Sequence, residues 1–334
     1  MTRRRRLDGA GPASGGAGFA GAGAGIERAL ELGASARGTG YPKPTVAAVL
    51  VRDGEIVSEG WTEAEGRHGE IVALATAGER ARGATLYVTM EPCAHHGTTP
   101  PCTEAILAAG VARVVAASRD PNPEARGGLE RLREAGLDVE LDDRFAARAQ
   151  NEAWRTWVAE GRPFVTFKAA VTLDGRVTVP GSRWVSGEES RRLVHELRAT
   201  SDAVAVGMGT VRLENPRLDA RDVVVTRQPR RLAFGRGPLP DGSELELRSG
   251  PLAEELLALG ADGIQSLLLE GGPTLAGAFL RAGLVDKLLL FVAPTLAGTG
   301  PRLADTLATP LALTRLTSRQ IGADVLLEAY IHEP

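Results

Sequence analysis

The stretch His68–Cys102, "HGEIVALATAGERARGATLYVTMEPCAHHGTTPPC", holds both cysteines of a 334-residue chain and three of its five histidines. Two cysteines in a chain this long do not make a disulfide framework. Their company gives a better reading. Zinc is held by nitrogen and sulfur donors in a tetrahedron, and a catalytic zinc keeps one position for water. His68, Cys93 and Cys102 supply three donors and leave the fourth place open. Cys93 is expected to close a strand, "GATLYVTMEPC", and Cys102 to open a helix, "PCTEAILAAGV". A helix N-terminus carries partial positive charge, which favours the thiolate.

Glu70 stands two residues after His68, in the first turn of an expected helix, "EIVALATAGERA". There it can project beside a metal without binding it. Zinc acidifies its water toward neutrality, and a neighbouring carboxylate can take that proton and pass it on. This is the division of labour in zinc nucleobase deaminases, marked by His-x-Glu followed by Pro-Cys and a second cysteine. A closed zinc knuckle using His95 or His96 as fourth ligand, or a buried thiol pair, are the plainer readings. Neither has a use for Glu70, and the two histidines read as loop residues that shape a pocket.

The chain is long enough for about two domains at roughly 150 residues each. Hydrophobic residues make up 43% of it, so each half can bury a core. The first 25 residues, an arginine run followed by a Gly/Ala-rich stretch, lack the apolar segment of an export signal. They read as a disordered tail or a start codon placed too early. Order is expected from Ile26. "TVAAVLVRDGEIVSEGW" reads as two strands joined at Asp53-Gly54. Strands and helices then alternate to the end, with no internal repeat, which predicts α/β layers. The pattern changes around "NEAWRTWVAEGRP". The expected domains are therefore 26–159 and 160–334.

Net charge is −3 and aromatics are 4% of the chain. A nucleic-acid deaminase needs a basic channel and stacking aromatics, so no nucleic-acid partner is expected. No apolar run of 18 residues occurs, and no membrane association is expected. In the second half, "EGGPTLAG" joins a strand to a helix, a turn whose backbone N–H groups can approach a phosphate. Taken alone it is weak, and it is not the dinucleotide fingerprint.

Beyond these local readings, the chain resembles the bifunctional deaminase/reductase family of riboflavin biosynthesis. "EPCAHHGTTPPC", "AAGVARVV" and "DPNP" at 120–123 carry the likeness in the first half. "KAAVTLDGR" at 168–176, "SRWVS" at 182–186, "GTV" at 209–211 and "LLEGGPTLAGAFLRAGLVD" at 268–286 carry it in the second. The resemblance implies a cytidine-deaminase-like three-layer domain followed by a dihydrofolate-reductase-like α/β domain. It implies zinc, NADPH and a small pyrimidine ribotide as substrate, a cytoplasmic location and assembly into a homo-oligomer. It places the cofactor on Gly272, Pro273, Thr274, Leu275, Ala276, Gly277 and Ala278, with Ala170, Trp184, Thr210 and Glu214. It turns Lys168, Ser182, Arg198, Leu218, Arg221 and Glu270 toward the substrate, with Asp174 nearby. Arginine suits a ribose phosphate, which a guanidinium binds bidentately. Arg191 and Arg192 read instead as a solvated helix face.

The chain departs from the family pattern in one group of residues. Gly69 replaces the usual alanine between the ligand and the acid, and is expected to loosen that turn. "PKPTVAAV" has Lys43 and Ala47 where the family has asparagine and glycine, with Thr45 between them, and Thr98 replaces a basic residue. "ENP", from Glu214 to Pro216, replaces an Asp-Asp-Pro or Asp-Asn-Pro. The zinc ligands and Glu70 are intact, so the changes are expected to bear on substrate rather than chemistry. A paralogue acting on a related pyrimidine, or a reductase with a silent deaminase domain, is the alternative reading.

Overall fold

A computed structural model describes residues 22–96, 100–304, 307 and 309–334, in two compact units, Met1–Gln150 and Asn151–Pro334. The first 21 residues of the expected tail lie outside the described residues. Residues 22–25 form the first turn of a helix instead. Gly25 has no Cβ, and a Cβ there would lie 2.3 Å from the Tyr87 ring, so the helix sits directly on that ring.

The first unit contains α1 (Ala22–Ser35), β1 (Ala47–Arg52), β2 (Glu55–Trp61), α2 (Gly69–Ala77), β3 (Thr85–Val88), α3 (Cys102–Ala108), β4 (Arg113–Ala116), α4 (Gly128–Glu134), β5 (Asp138–Leu141) and α5 (Phe145–Gln150). Its sheet runs β2-β1-β3-β4-β5. The β1–β2 hairpin turns at Asp53 and Gly54, both with positive φ, 52° and 78°, which matches the right-handed twist of the strands. β1 pairs antiparallel with β3, and β3, β4 and β5 are parallel.

Alternating side chains divide between the two faces of this sheet. Ala48, Leu50, Leu86, Val88, Val114 and Ala116 meet α2, α3 and α4 on one face. Ala47, Val49, Tyr87 and Val115 meet α1 and α5 on the other. The result is the expected three-layer sandwich.

The second unit contains α6 (Glu152–Glu160), β6 (Phe164–Thr172), α7 (Glu188–Thr200), β7 (Ala203–Gly207), α8 (Met208–Glu214), β8 (Arg230–Phe234), β9 (Glu246–Arg248), α9 (Leu252–Ala261), β10 (Ser266–Leu269), α10 (Pro273–Arg281), β11 (Lys287–Ala293), β12 (Thr314–Ile321) and β13 (Asp324–Tyr330). The sheet order is β12-β13-β11-β6-β10-β7-β8-β9, parallel from β11 to β9 and antiparallel at the β12–β13 edge. α9 and α10 cover one face through Leu256, Leu259, Ala276 and Phe279. On the other face Val194 of α7 packs with Leu289, Phe291 and Leu326.

The units divide one helix earlier than the expected boundary at 159/160. α6 belongs to the second unit: the Trp157 indole donates to the Gly260 carbonyl at 2.8 Å, and Glu152 pairs with Lys287 at 3.3 Å. β12, which the sequence reading lacks, is exposed along almost its whole length and so carries no apolar alternation to read. β9 is only three residues long and α8 seven.

Candidate deaminase and reductase sites

Three segments of the first unit meet at the candidate metal centre. His68 is the N-cap of α2, with extended backbone, and Glu70 lies in that helix's first turn. Cys102 opens α3 as expected. Cys93 does not close β3; the strand ends at Val88, and Cys93 sits in the loop beyond it. The donor atoms of His68, Cys93 and Cys102 all lie within 4.8 Å of one another. His68 Nδ1 is 3.2 Å from Cys102 Sγ and 3.7 Å from Cys93 Sγ.

The electrostatics of the centre are built in by contact. Cys93 Sγ accepts the Cys102 thiol and, at 3.3 Å, the Cys102 backbone N–H. These bonds, with the His68 imidazole, bring the Cys93 thiol well below its ordinary range. The same thiol contact, with burial, raises Cys102. Its bond to Cys93 raises the His68 imidazole. A divalent cation inverts this logic and deprotonates the thiols that ligate it. Glu70 is 2% exposed, and burial raises its carboxyl pKa, opposed chiefly by His68. Its Oε2 is buried with no hydrogen-bond partner among the described residues. The carboxyl meets the Cys102 thiol, but this second oxygen calls for a proton donor that the described residues do not provide. The soft, tightly grouped donor set and this orphaned acceptor fit a catalytic zinc with its water.

A residue the sequence reading passed over holds the loop. Glu91 is fully buried at its side chain. It accepts the backbone N–H groups of Asp120 at 3.2 Å, Gly127 at 3.0 Å and Leu129 at 3.2 Å. One carboxylate thus ties the Cys93 segment to the loop before α4. Only its place before Pro92-Cys93 could have signalled this. Gly128 completes the fit, since a Cβ there would lie 1.7 Å from the Pro92 carbonyl oxygen.

The departures from the family pattern divide once they are placed. Gly69 is not loose. A Cβ would meet the Val46 carbonyl oxygen at 2.4 Å, because α2 presses onto β1 and β2 at this point. Ala47 is fully buried, and Thr45, 4% exposed, accepts the Gly38 N–H at 3.2 Å. These three are packing positions. Lys43 is exposed. Thr98 lies outside the described residues.

In the second unit a charged cluster forms at the C-terminal end of β10. Glu270 accepts Arg198 Nε at 2.6 Å and Nη2 at 3.0 Å, and Lys168 Nζ at 3.3 Å. Burial alone would raise the Glu270 carboxyl, but Lys168 and Arg198 outweigh it and hold it at about 2. Lys168 and Ala170 share one face of β6. Arg198 also donates to the Asp219 carbonyl at 3.1 Å, and Arg221 pairs with Asp219 at 2.8 Å. His195, also missed in the sequence, stands in the field of Arg198 and Arg221, and its buried Nδ1 has no hydrogen-bond partner among the described residues.

Gly272 is the N-cap of α10, Pro273 begins it, and Thr274 is exposed. Leu275 lies 3.3 Å from the Cβ position of Gly207, Ala276 and Gly277 are buried, and Ala278 is half-buried. The accessible part of the stretch is therefore its first turn. Thr210 Oγ1 is 3.7 Å from the Cβ position of Gly272, so α8 adjoins that turn, and Glu214 ends α8. Ser182 Oγ bonds the Trp184 carbonyl at 2.8 Å. The exposed Trp184 ring lies against Arg183 and Arg191, which corrects the reading of Arg191 as merely solvated. The Leu218 side chain is buried in the core. Asp174 is committed to Thr172 and to the N–H groups of Ala297 and Gly298.

Comparison with known proteins decides the family. Residues 24–118 match the cytidine and deoxycytidylate deaminase zinc-binding region, and residues 163–327 match the RibD C-terminal domain. A riboflavin biosynthesis protein RibD from Mycobacterium tuberculosis is 44% identical, covering 82% of this chain and 85% of its own.

The chain belongs to the RibD family.

Solved RibD structures agree over nearly the full length. That from Acinetobacter baumannii is 34% identical with a TM-score of 0.78, covering 92% of this chain and 97% of its own. A Thermotoga maritima protein, a diaminohydroxyphosphoribosylaminopyrimidine deaminase/5-amino-6-(5-phosphoribosylamino)uracil reductase, is 31% identical with a TM-score of 0.77, covering 92% and 97%. The chain is a bifunctional deaminase and reductase of riboflavin biosynthesis, with a zinc-binding deaminase domain ahead of the reductase domain.

Proposed function

We propose that His68, Cys93 and Cys102 hold the zinc, that Glu70 is the proton-transferring carboxylate, and that the substrate is the diaminopyrimidine ribotide named for the Thermotoga relative. The observation that carries this is the buried, unpartnered Oε2 of Glu70 beside three grouped donors. Zinc, when bound, supplies an acidified water. Glu70, buried beside these donors, is placed to take a proton from that water and to return it to the substrate. Hydrolysis replaces the ring amine by oxygen and releases ammonia. A silent deaminase domain would not need to keep this acid.

The reductase half of the proposal assigns NADPH to the first turn of α10 with Thr210, Trp184, Ala170 and Glu214 around it. NADPH, when bound, would supply a hydride to the anomeric carbon of the ribosylamine, while the bond from that carbon to the ring oxygen breaks and the freed oxygen takes a proton, so that the ribosyl group becomes a ribityl chain. Two cations around Glu270 leave the cluster net positive, which suits the substrate phosphate. Ser182, Arg221 and the backbone at Leu218 complete the substrate side. The chain's part in hydride transfer is alignment. Cytoplasmic location and homo-oligomeric assembly belong to the same proposal; light scattering on the purified chain tests the latter.

The test follows ammonia release and NADPH oxidation in one tube, on zinc-loaded full-length protein given the ribotide. Both signals are expected. NADPH oxidation only on pre-deaminated substrate would restore the silent-deaminase reading.

A further inference from the structure

Cations on the segments around the zinc donors are mostly committed to acids. Arg67 pairs with Glu63 at 2.7 Å, Arg119 with Glu130 at 2.7 Å and Arg131 with Glu104 at 3.1 Å. Lys43 is different. It is exposed, and its Nζ lies 3.5 Å from the carbonyl oxygen of Gly66, two residues before His68. Among the described residues it has no carboxylate partner. Its stem crosses the face of Gly66, which has a φ of 84° and whose Cβ position would lie 2.9 Å from Nζ. Pro42 and Pro44 flank Lys43 and restrict its backbone, and its N–H is fixed to the Gly40 carbonyl at 2.9 Å.

We propose that Lys43 is a specificity-determining residue of the deaminase site and takes the ribose phosphate of its substrate. This rests on the function proposed above. The phosphate is the strongly anionic group of a pyrimidine ribotide, and an ammonium on a flexible four-carbon stem is a point-charge ligand for it. Most neighbouring arginines are neutralised in place, so binding a phosphate through them would break an existing pair. Lys43 has no such pair to give up. Arg126 follows Ala125, which packs on both cysteines, and also has no acid partner among the described residues, so it is the natural comparison.

The experiment measures ammonia release by the zinc-loaded full-length chain on the ribotide and on its dephosphorylated riboside. Wild type, Lys43→Gln, Lys43→Arg and Arg126→Gln are compared. Lys43→Gln is expected to raise KM for the ribotide about tenfold or more, and so to collapse the preference for the ribotide over the riboside. Lys43→Arg should keep that preference. Added salt should raise the wild-type ribotide KM and move that of Lys43→Gln much less. An unchanged preference in Lys43→Gln, or its loss in Arg126→Gln instead, overturns the assignment. A wild-type chain that releases ammonia from neither form overturns the proposed function, and this inference with it.

Discussion

The backbone N–H of Cys102 donates to Cys93 Sγ at 3.3 Å. The start of α3 is thus bonded directly to the loop thiol, which ties the Cys93 sulfur to the residue that carries the second one. Preorganisation of this kind fixes a metal geometry before the metal arrives.

Removing the metal should separate the two activities. Chelation of the full-length chain is expected to abolish ammonia release while NADPH oxidation on pre-deaminated substrate continues, because the proposed zinc donors all lie in the first unit. Loss of both activities in parallel, with melting of the reductase unit, would contradict this.

Glu70→Gln keeps the size of the side chain and removes its ability to shuttle a proton. Deamination should fall by roughly 10²–10⁴-fold, the range for a general acid–base group, with zinc content and reduction retained. Metal analysis alongside ammonia release checks it. Loss of zinc in this variant would assign Glu70 a structural role instead.

Gly69→Ala tests how tightly α2 is pressed onto the sheet. Its new Cβ would lie 2.4 Å from the Val46 carbonyl oxygen, which is backbone and cannot swing away. The cost expected for overpacking is about 1–3 kcal/mol, read as a lower Tm of the first unit together with weaker zinc retention. A neutral substitution would mean that β1 shifts freely.

The Glu270 cluster gives a pH dependence with a definite sign. A carboxylate whose folded pKa is depressed stabilises fully above its unfolded value, about 4.3, and that stabilisation is lost as pH falls toward about 2. Glu270→Gln leaves Lys168 and Arg198 without their carboxylate and should cost about 3–5 kcal/mol at neutral pH. The Tm difference between wild type and variant is expected to hold from pH 7 to 5 and shrink below that window. A difference that grew on acidification would have the wrong sign.

The grouping of His68, Cys93 and Cys102, the place of Glu70 in the first turn of α2, the hairpin at Asp53-Gly54 and the α/β alternation were legible in the chain, because each rests on local spacing and local conformational preference. Where α2 touches the sheet was not. Gly69 reads as a loosened turn from its own flexibility, yet the Val46 carbonyl makes it a tight one. Glu91 carries no local mark, since its partners at Asp120, Gly127 and Leu129 lie far along the chain. Leu218 matched a substrate-facing position, but its side chain entered the core. Sequence alone determined the chemistry this protein carries, because ligand type and short spacing are written locally. Tertiary structure alone decided which charges are paired and which backbone carbonyls crowd a glycine. Those depend on contacts between segments distant in the chain, and they leave Lys43 exposed at the edge of the zinc site.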